Sequence, residues 1–201
     1  MVQKLDNLKE SPSQTAGPYV HIGLTPNFSG ITGVYDADLG TTMLGNAPKG
    51  DRITIKGRVL DGTGTPLRDA LLEIWHADAS GIYPGQDGAD ADVYGWGRCP
   101  TDMDDGTFRF ETIKPGAVQN RDGTPMAPHI TFWIVARGIN LGLHTRMYFA
   151  DESEANAADP VLKRIEHQVR VPTLMGQPQD DGTYLFDIHL QGPDETIFFD
   201  I

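Results

Sequence analysis

Cysteine is nearly absent: Cys99 stands alone in 201 residues, so the chain cannot close an internal disulfide. Long apolar runs are missing as well, and without 18 consecutive apolar residues a membrane-spanning helix is excluded. The opening "MVQKLDNLKESPSQ" lacks the apolar stretch of a secretory signal, which leads us to expect a cytoplasmic protein. Positive charge is scarce, with 16 basic against 28 acidic residues and a net charge of -12. Such a surface repels phosphate backbones and anionic lipid, so neither nucleic acid nor a membrane is an expected partner. A small anionic substrate is still compatible, provided that its site is locally basic. Cys99, between Arg98 and Pro100, shows no activating environment and reads as incidental.

What is plentiful is glycine and proline, 23 and 14 residues, which imply many turns and few long helices. One domain is expected over 1–201, with 1–50 as an N-terminal arm and loop layer and 51–201 as the core. From residue 52 onward come short β-like runs: "RITIKGRVL", "ALLEIWHA", "TFRFETI", "HITFWIVA", "LHTRMYF", "TYLFDIHL" and "ETIFF". Several alternate apolar and polar residues, the period of a half-buried strand. Asp-Gly-Thr recurs at 61–63, 105–107, 122–124 and 181–183, and reads as tight-turn chemistry in preference to calcium loops. Helical signal is confined to "DESEANAADPVLKRI", where Pro160 suits a first helical turn. The expected fold is mainly β, an antiparallel β-sandwich of about seven strands with a long N-terminal arm and one or two short helices.

The most informative segment is "IKGRVLDGTGTPLRDALLEIWHADASGIY", residues 55–83. It resembles the fingerprint of the intradiol ring-cleavage dioxygenases, with Ile55, Gly57, Val59, Gly64, Leu67, Leu72, Glu73, Ile74, Gly81 and Tyr83 at the family's spacing. "TIKPG" at 112–116, "PHI" at 128–130, "RMYF" at 146–149 and "YLFDIHLQG" at 184–192 are similar to further family segments in the same order.

The resemblance implies a mononuclear non-haem ferric ion held by two tyrosines and two histidines. Phenolate oxygen and imidazole both suit that hard cation. Tyr83 matches the first tyrosine and His129 the first histidine, whereas Val118 and Thr131 stand at the places of the second tyrosine and second histidine. Had Thr131 been histidine, the two imidazoles would share one face of a strand as a chelating pair. With two of four ligands lost, no iron is expected in this chain. The arginine that precedes the histidine pair in catalytic members is replaced near Met126.

"SQTAGPYVHIGL", "VARGIN" and the terminal "ETIFFDI" are most similar to the α chains of two-chain members, in which the Fe3+ belongs to a homologous β chain. The implied partners are therefore that β chain and a higher-order α–β oligomer. The implied reaction is cleavage of protocatechuate (3,4-dihydroxybenzoate) by O2 to 3-carboxy-cis,cis-muconate. Thr15, Gly17, Pro18 and Tyr19 match the α segment that lines the substrate pocket, and Arg137 matches an arginine near its mouth. Glycine permits close backbone approach, proline stiffens the loop, and an arginine can pair bidentately with a substrate carboxylate.

Other candidates read as structural. His76 and His189 sit in strand patterns, Glu73 matches a structural family position, and Trp75 and Trp133 suit a core or an interface. His21 follows the pocket arm as a support, His167 reads as solvated, and His144 and Arg146 share a strand face that points toward a partner. A self-sufficient homo-oligomeric catechol dioxygenase, with Tyr94 or His144 as substitute ligands, is the weaker reading because Val118 and Thr131 cannot ligate.

Overall fold

The computed structural model describes residues 14–17 and 19–200; Pro18 of the pocket arm lies outside the described residues. In chain order the elements are helix α1 (Tyr19–Leu24) and strands β1 (Arg52–Leu60), β2 (Leu71–Trp75), β3 (Trp96–Pro100), β4 (Thr107–Ile113), β5 (Val118–Gln119), β6 (Pro125–Met126), β7 (His129–Val135) and β8 (Leu143–Phe149). Helices α2 (Ser153–Ala158) and α3 (Pro160–Arg164) follow, then a 3-10 segment at Gln168–Leu174 and strands β9 (Met175–Pro178), β10 (Thr183–Leu185) and β11 (Ile188–His189).

Alternation decides which way each strand faces. In β1, Ile53, Ile55 and Val59 are buried while Arg52, Lys56 and Arg58 are exposed. In β7, Ile130, Phe132 and Ile134 enter the core and Thr131, Trp133 and Val135 face the other way. One sheet is built on β1, with β4 along one side and β10 and β11 along the other. The second runs β9-β8-β7-β2-β3, and a β9–β10 pairing joins the two sheets along one side. Between them Phe108, Phe110, Phe132 and Phe186 pack at centroid separations of 5.4 to 6.2 Å, largely tilted or edge-on, the arrangement that aromatic quadrupoles favour.

The expected sandwich is present, but its pairing is mixed. β1 runs parallel to β10 and β11, and β8 runs parallel to β9. A parallel neighbour requires a crossover, and the helical stretch from α2 to Leu174 supplies the one between β8 and β9. "TYLFDIHL" is two strands because Asp187 breaks the ladder: its carboxylate accepts the Arg58 N–H at 2.9 Å, while the Phe186 N–H donates to the Lys56 carbonyl. "ETIFF" forms no ladder: it pairs with β8 at a single bridge, Phe199 to His144, and its Ile197 carbonyl accepts the Thr145 hydroxyl.

Among the described residues, three short α-helices and a 3-10 segment replace the expected one or two, because "YVHIGL" in the arm is itself helical. Pro160 does occupy the first turn of α3, where Asp159 caps the Val161 and Leu162 N–H groups. The Asp-Gly-Thr segments are turns, with glycine in the left-handed region at 106, 123 and 182. At 61–63 that role falls on Gly64 (φ +80), and Asp61 accepts the Thr63 and Thr65 N–H groups.

Arm residues 40–45 lie along the free edge of β3. The Arg98 N–H donates to the Gly40 carbonyl, the Tyr94 N–H to Met43 and the Gly45 N–H to Asp92. This covers an edge that would otherwise be open to strand addition.

Candidate functional site

Two groups of residues singled out in the sequence come together in space, each on its own part of the molecule.

The first group is built on the outer face of β7 and its neighbours. Residues paired across an antiparallel ladder share a face. Trp75, Thr131 and Arg146 form one such row across β2, β7 and β8, and His129 and Tyr148 form the adjoining row. The rings of His129 and Tyr148 lie 5.6 Å apart, and His129 is 4% exposed. Its Nδ1 meets the Ala127 carbonyl at 2.7 Å, which fixes the proton on that nitrogen and leaves Nε2 without one.

Tyr83 arrives from the loop after β2, stacked on Trp75 at 5.9 Å with planes 7° apart. Asp78 shapes that loop: its carboxylate accepts the Ser80, Ile82 and Asp90 N–H groups at 2.8 to 3.0 Å. Gly81 lies there with φ +78, and any Cβ would collide with the Ala117 carbonyl, so the Tyr83 loop presses against the start of β5. Val118 is buried at that point and pairs with Met126 in the β5–β6 hairpin. The four positions matched to the ligand set thus converge.

Arg146 sits among them. One Nη1 lies 3.4 Å from the Tyr148 hydroxyl and 3.9 Å from the Met126 sulfur, and the guanidinium stands 5.9 Å from the Phe199 ring centre. Burial lowers the His129 pKa to about 4, assisted by the Arg146 charge. Burial pushes the Tyr83 phenol up, while Arg146 pulls it back. Tyr148 is pushed up to about 12, again mainly by burial.

Below this row Asp159, wholly buried, accepts the Ala127, Val161 and Leu162 N–H groups at 2.8 Å, with the Tyr148 hydroxyl 3.5 Å away. The residues present do not fit a ferric ion: one phenol and one imidazole share the site with a guanidinium, and valine and threonine, which offer it no comparable donor, stand at the other two positions matched to the ligand set. Among the described residues no cluster of three or more His, Cys, Asp or Glu could hold a metal either. The substitute ligands are elsewhere. Tyr94 is 48% exposed beside the arm, and His144 lies one row beyond Arg146 under the Phe199 bridge.

The second group joins the arm to the turn after β7. The Thr15 hydroxyl donates to the Ala136 carbonyl at 3.2 Å and accepts the Gly138 N–H at 2.7 Å, clasping the turn that carries Arg137. Arg137 pairs with Asp69 at 2.6 Å, and the Asp69 carbonyl meets His21 Nε2 of α1 at 2.9 Å. Gly17 has open space around the place of a Cβ, its carbonyl accepts the Val20 N–H, and Tyr19 projects 81% exposed from the start of α1. The Arg137 side chain remains 71% exposed although one face of it is paired with the Asp69 carboxylate.

Of the residues read as structural, His76 and Glu73 are held by internal bonds. His76 is buried between the Ala77 carbonyl and Thr112 Oγ1, and Glu73 holds Arg98 at 2.6 Å and the Trp96 indole N–H at 3.2 Å. Burial raises the Cys99 thiol pKa, the opposite of activation. Asp78, Asp159 and Arg146 organise the first group, and sequence reasoning assigned them no such part. An aspartate in a loop looks like any turn residue, and a register is invisible until strands are paired.

Residues 24–192 match the family model described as "Dioxygenase". The chain is 45% identical over 199 residues to the protocatechuate 3,4-dioxygenase alpha chain of Pseudomonas putida, covering 98% of each. It is 37% identical over 179 residues to the beta chain of that enzyme from Burkholderia cepacia, covering 82% of this chain and 75% of that one. In solved structures its fold is similar to 3-chlorocatechol 1,2-dioxygenase from Rhodococcus opacus, at TM-score 0.59 and 23% identity over 79% of this chain and 68% of that one. The chain therefore belongs to the intradiol ring-cleavage dioxygenases, a family dependent on non-haem iron, on the branch of the protocatechuate 3,4-dioxygenase alpha chains.

Proposed function

We propose that this chain is the alpha-type subunit of a heteromeric dioxygenase that cleaves 3,4-dihydroxybenzoate with O2 to 3-carboxy-cis,cis-muconate. Its partner is a homologous beta-type chain, which carries the Fe3+, within a higher-order assembly of the two. The observation that carries this reading is that Val118 and Thr131 stand where the family resemblance places two of the iron ligands, in a chain 45% identical over 98% of its length to an alpha chain.

In this division of labour the chain supplies shape and charge, and we assign pocket-lining roles to Thr15, Gly17, Pro18 and Tyr19. The Thr15 clasp fixes the arm to the turn after β7, so that Arg137 and the Tyr19 segment are presented together. Arg137 meets the substrate carboxylate. Its five N–H donors exceed what the single Asp69 carboxylate uses, so a second carboxylate can be accommodated without loss of the first. Tyr19, already exposed, adds an aromatic wall that excludes water from the pocket.

The test is iron content and visible absorption of this chain purified alone, and again after co-expression with its beta partner. A colourless, iron-free chain that joins a coloured, ring-cleaving complex is the expected result. Stoichiometric iron and colour in the chain alone would overturn the assignment and revive the self-sufficient enzyme.

A further inference from the structure

Loss of two ligands explains a weak metal site, yet the remnant centre has a second feature that ligand loss does not require. A cation is built into it. Arg146 is the cross-strand neighbour of Thr131, one of the lost ligand places, and its Nη1 approaches Met126, the hairpin partner of Val118, the other. The same nitrogen lies 3.4 Å from the hydroxyl of Tyr148, whose ring packs on His129. Arg146 also belongs to the row that ends in Trp75, on which Tyr83 is stacked. Backbone pairing and side-chain contacts thus set one guanidinium against Thr131 directly and link it through Met126, Tyr148 and Trp75 to the other three positions. None of the ion pairs between described residues involves it, so its positive charge is not cancelled by a carboxylate salt bridge.

We propose that the Arg146 guanidinium is the resident cation of the remnant centre, and that it bars a metal ion from the site even where the ligands are restored. The inference rests on the reading that this chain carries no iron, and it names the device that enforces it. A guanidinium satisfies the surrounding hydroxyl, sulfur and ring faces as a metal would not, through planar N–H donors and cation–π contact. It also repels a second cation. A unit charge about 5 Å from a trivalent ion weakens its binding by roughly 50-fold even at the dielectric of water, and by more in a half-buried site.

The experiment uses the full chain in ligand-restored backgrounds, with ferric iron as the probe. Thr131→His supplies a third donor on a half-buried strand face, and Val118→Tyr/Thr131→His restores the full set. Each is made with Arg146 and with Arg146→Gln. Metal content and the phenolate-to-iron absorption that reports on Tyr83 are then read. We expect both backgrounds to take up little iron with Arg146 present, and at least about tenfold more with glutamine there, given the Coulomb penalty above.

Since a buried tyrosine at 118 could fail to fold, a second measurement is independent of it. Arg146→Ala in the otherwise unchanged chain should be destabilised, and millimolar ethylguanidinium, but not ethylurea, should restore its melting temperature. Equal iron binding with and without Arg146 would overturn the proposal. So would failure of both the iron gain and the ethylguanidinium rescue. Iron in the unaltered chain would instead overturn the functional reading on which it rests, so the two failures are distinguishable.

Discussion

Replacement of Asp159 by alanine tests the network beneath the remnant centre. The carboxylate accepts three backbone N–H groups at 2.8 Å, from Ala127, Val161 and Leu162, and two of those bonds are fully buried. An orphaned buried donor costs about 1 to 3 kcal/mol. The third bond, to Val161, is only partly buried and shares the helix cap with the Leu162 bond, so its loss adds about 1 kcal/mol. Asp159→Ala should therefore lose about 4 kcal/mol, a large share of the roughly 5 to 15 kcal/mol that holds a domain together. Asp159→Asn keeps one oxygen acceptor and should lose about half as much.

The assay is urea unfolding of the full chain, followed by tryptophan fluorescence. At a slope of about 2 kcal/mol per molar, the midpoint should fall by about 2 M in the alanine variant. Amide exchange at Ala127 and Leu162 should accelerate before that of β7 and of the rest of α3. A loss below about 1 kcal/mol, with both amides still protected, would mean that water or backbone relaxation satisfies the donors, and the network would not be the anchor described.

His129, with its pKa lowered to about 4 chiefly by burial and then by Arg146, binds fewer protons folded than unfolded below about pH 6.5. Its contribution to stability is intact above that pH and falls by about 2 kcal/mol between about pH 7 and pH 5; a wild-type minus His129→Gln difference curve without that slope would refute it. Gly57→Ala should fail to fold or lose several kcal/mol, since its methyl would collide with the Phe186 carbonyl and lie 2.9 Å from the Phe108 ring; thermal melting decides. Thr15→Val removes both bonds of the arm clasp and should raise KM for protocatechuate in the assembled enzyme more than it lowers kcat, with the unfolding midpoint of the chain little changed. Tyr19→Ala should leave the iron content of the complex unchanged while impairing substrate binding or turnover; loss of iron with intact assembly would contradict the division of labour.

The strands legible in the sequence were those with clean alternation and branched or aromatic residues, β1, β2, β4, β7 and β8, together with the run "TYLFDIHL" that holds β10 and β11. β3, written "WGRCP", and β9, "MGQP", were not legible, because glycine and proline read as turns and only neighbouring strands make those segments extended. "ETIFF" failed in the opposite direction: its composition suits a strand, but β8 already pairs with β7 and β9 and leaves it a single bridge. Of the site, Tyr83, Val118, His129 and Thr131 were reached through family resemblance, and spacing alone would not have joined Tyr83 to His129. Arg146 was seen to share a face with His144, but its row with Thr131 and Trp75 exists only once three strands are in register.

The seam at β9–β10 makes the two sheets behave as the covers of a book whose spine is main-chain hydrogen bonding. Among the described residues the opposite margin has no such spine. There the arm acts as the clasp: its backbone bonds to β3 of one cover, Met43 enters the core, and residues 41–44 border Arg52 and Glu111 of the other. The same arm continues back through α1 to Thr15 and the turn that carries Arg137. One stretch of chain therefore fastens both the open margin of the core and the turn after β7.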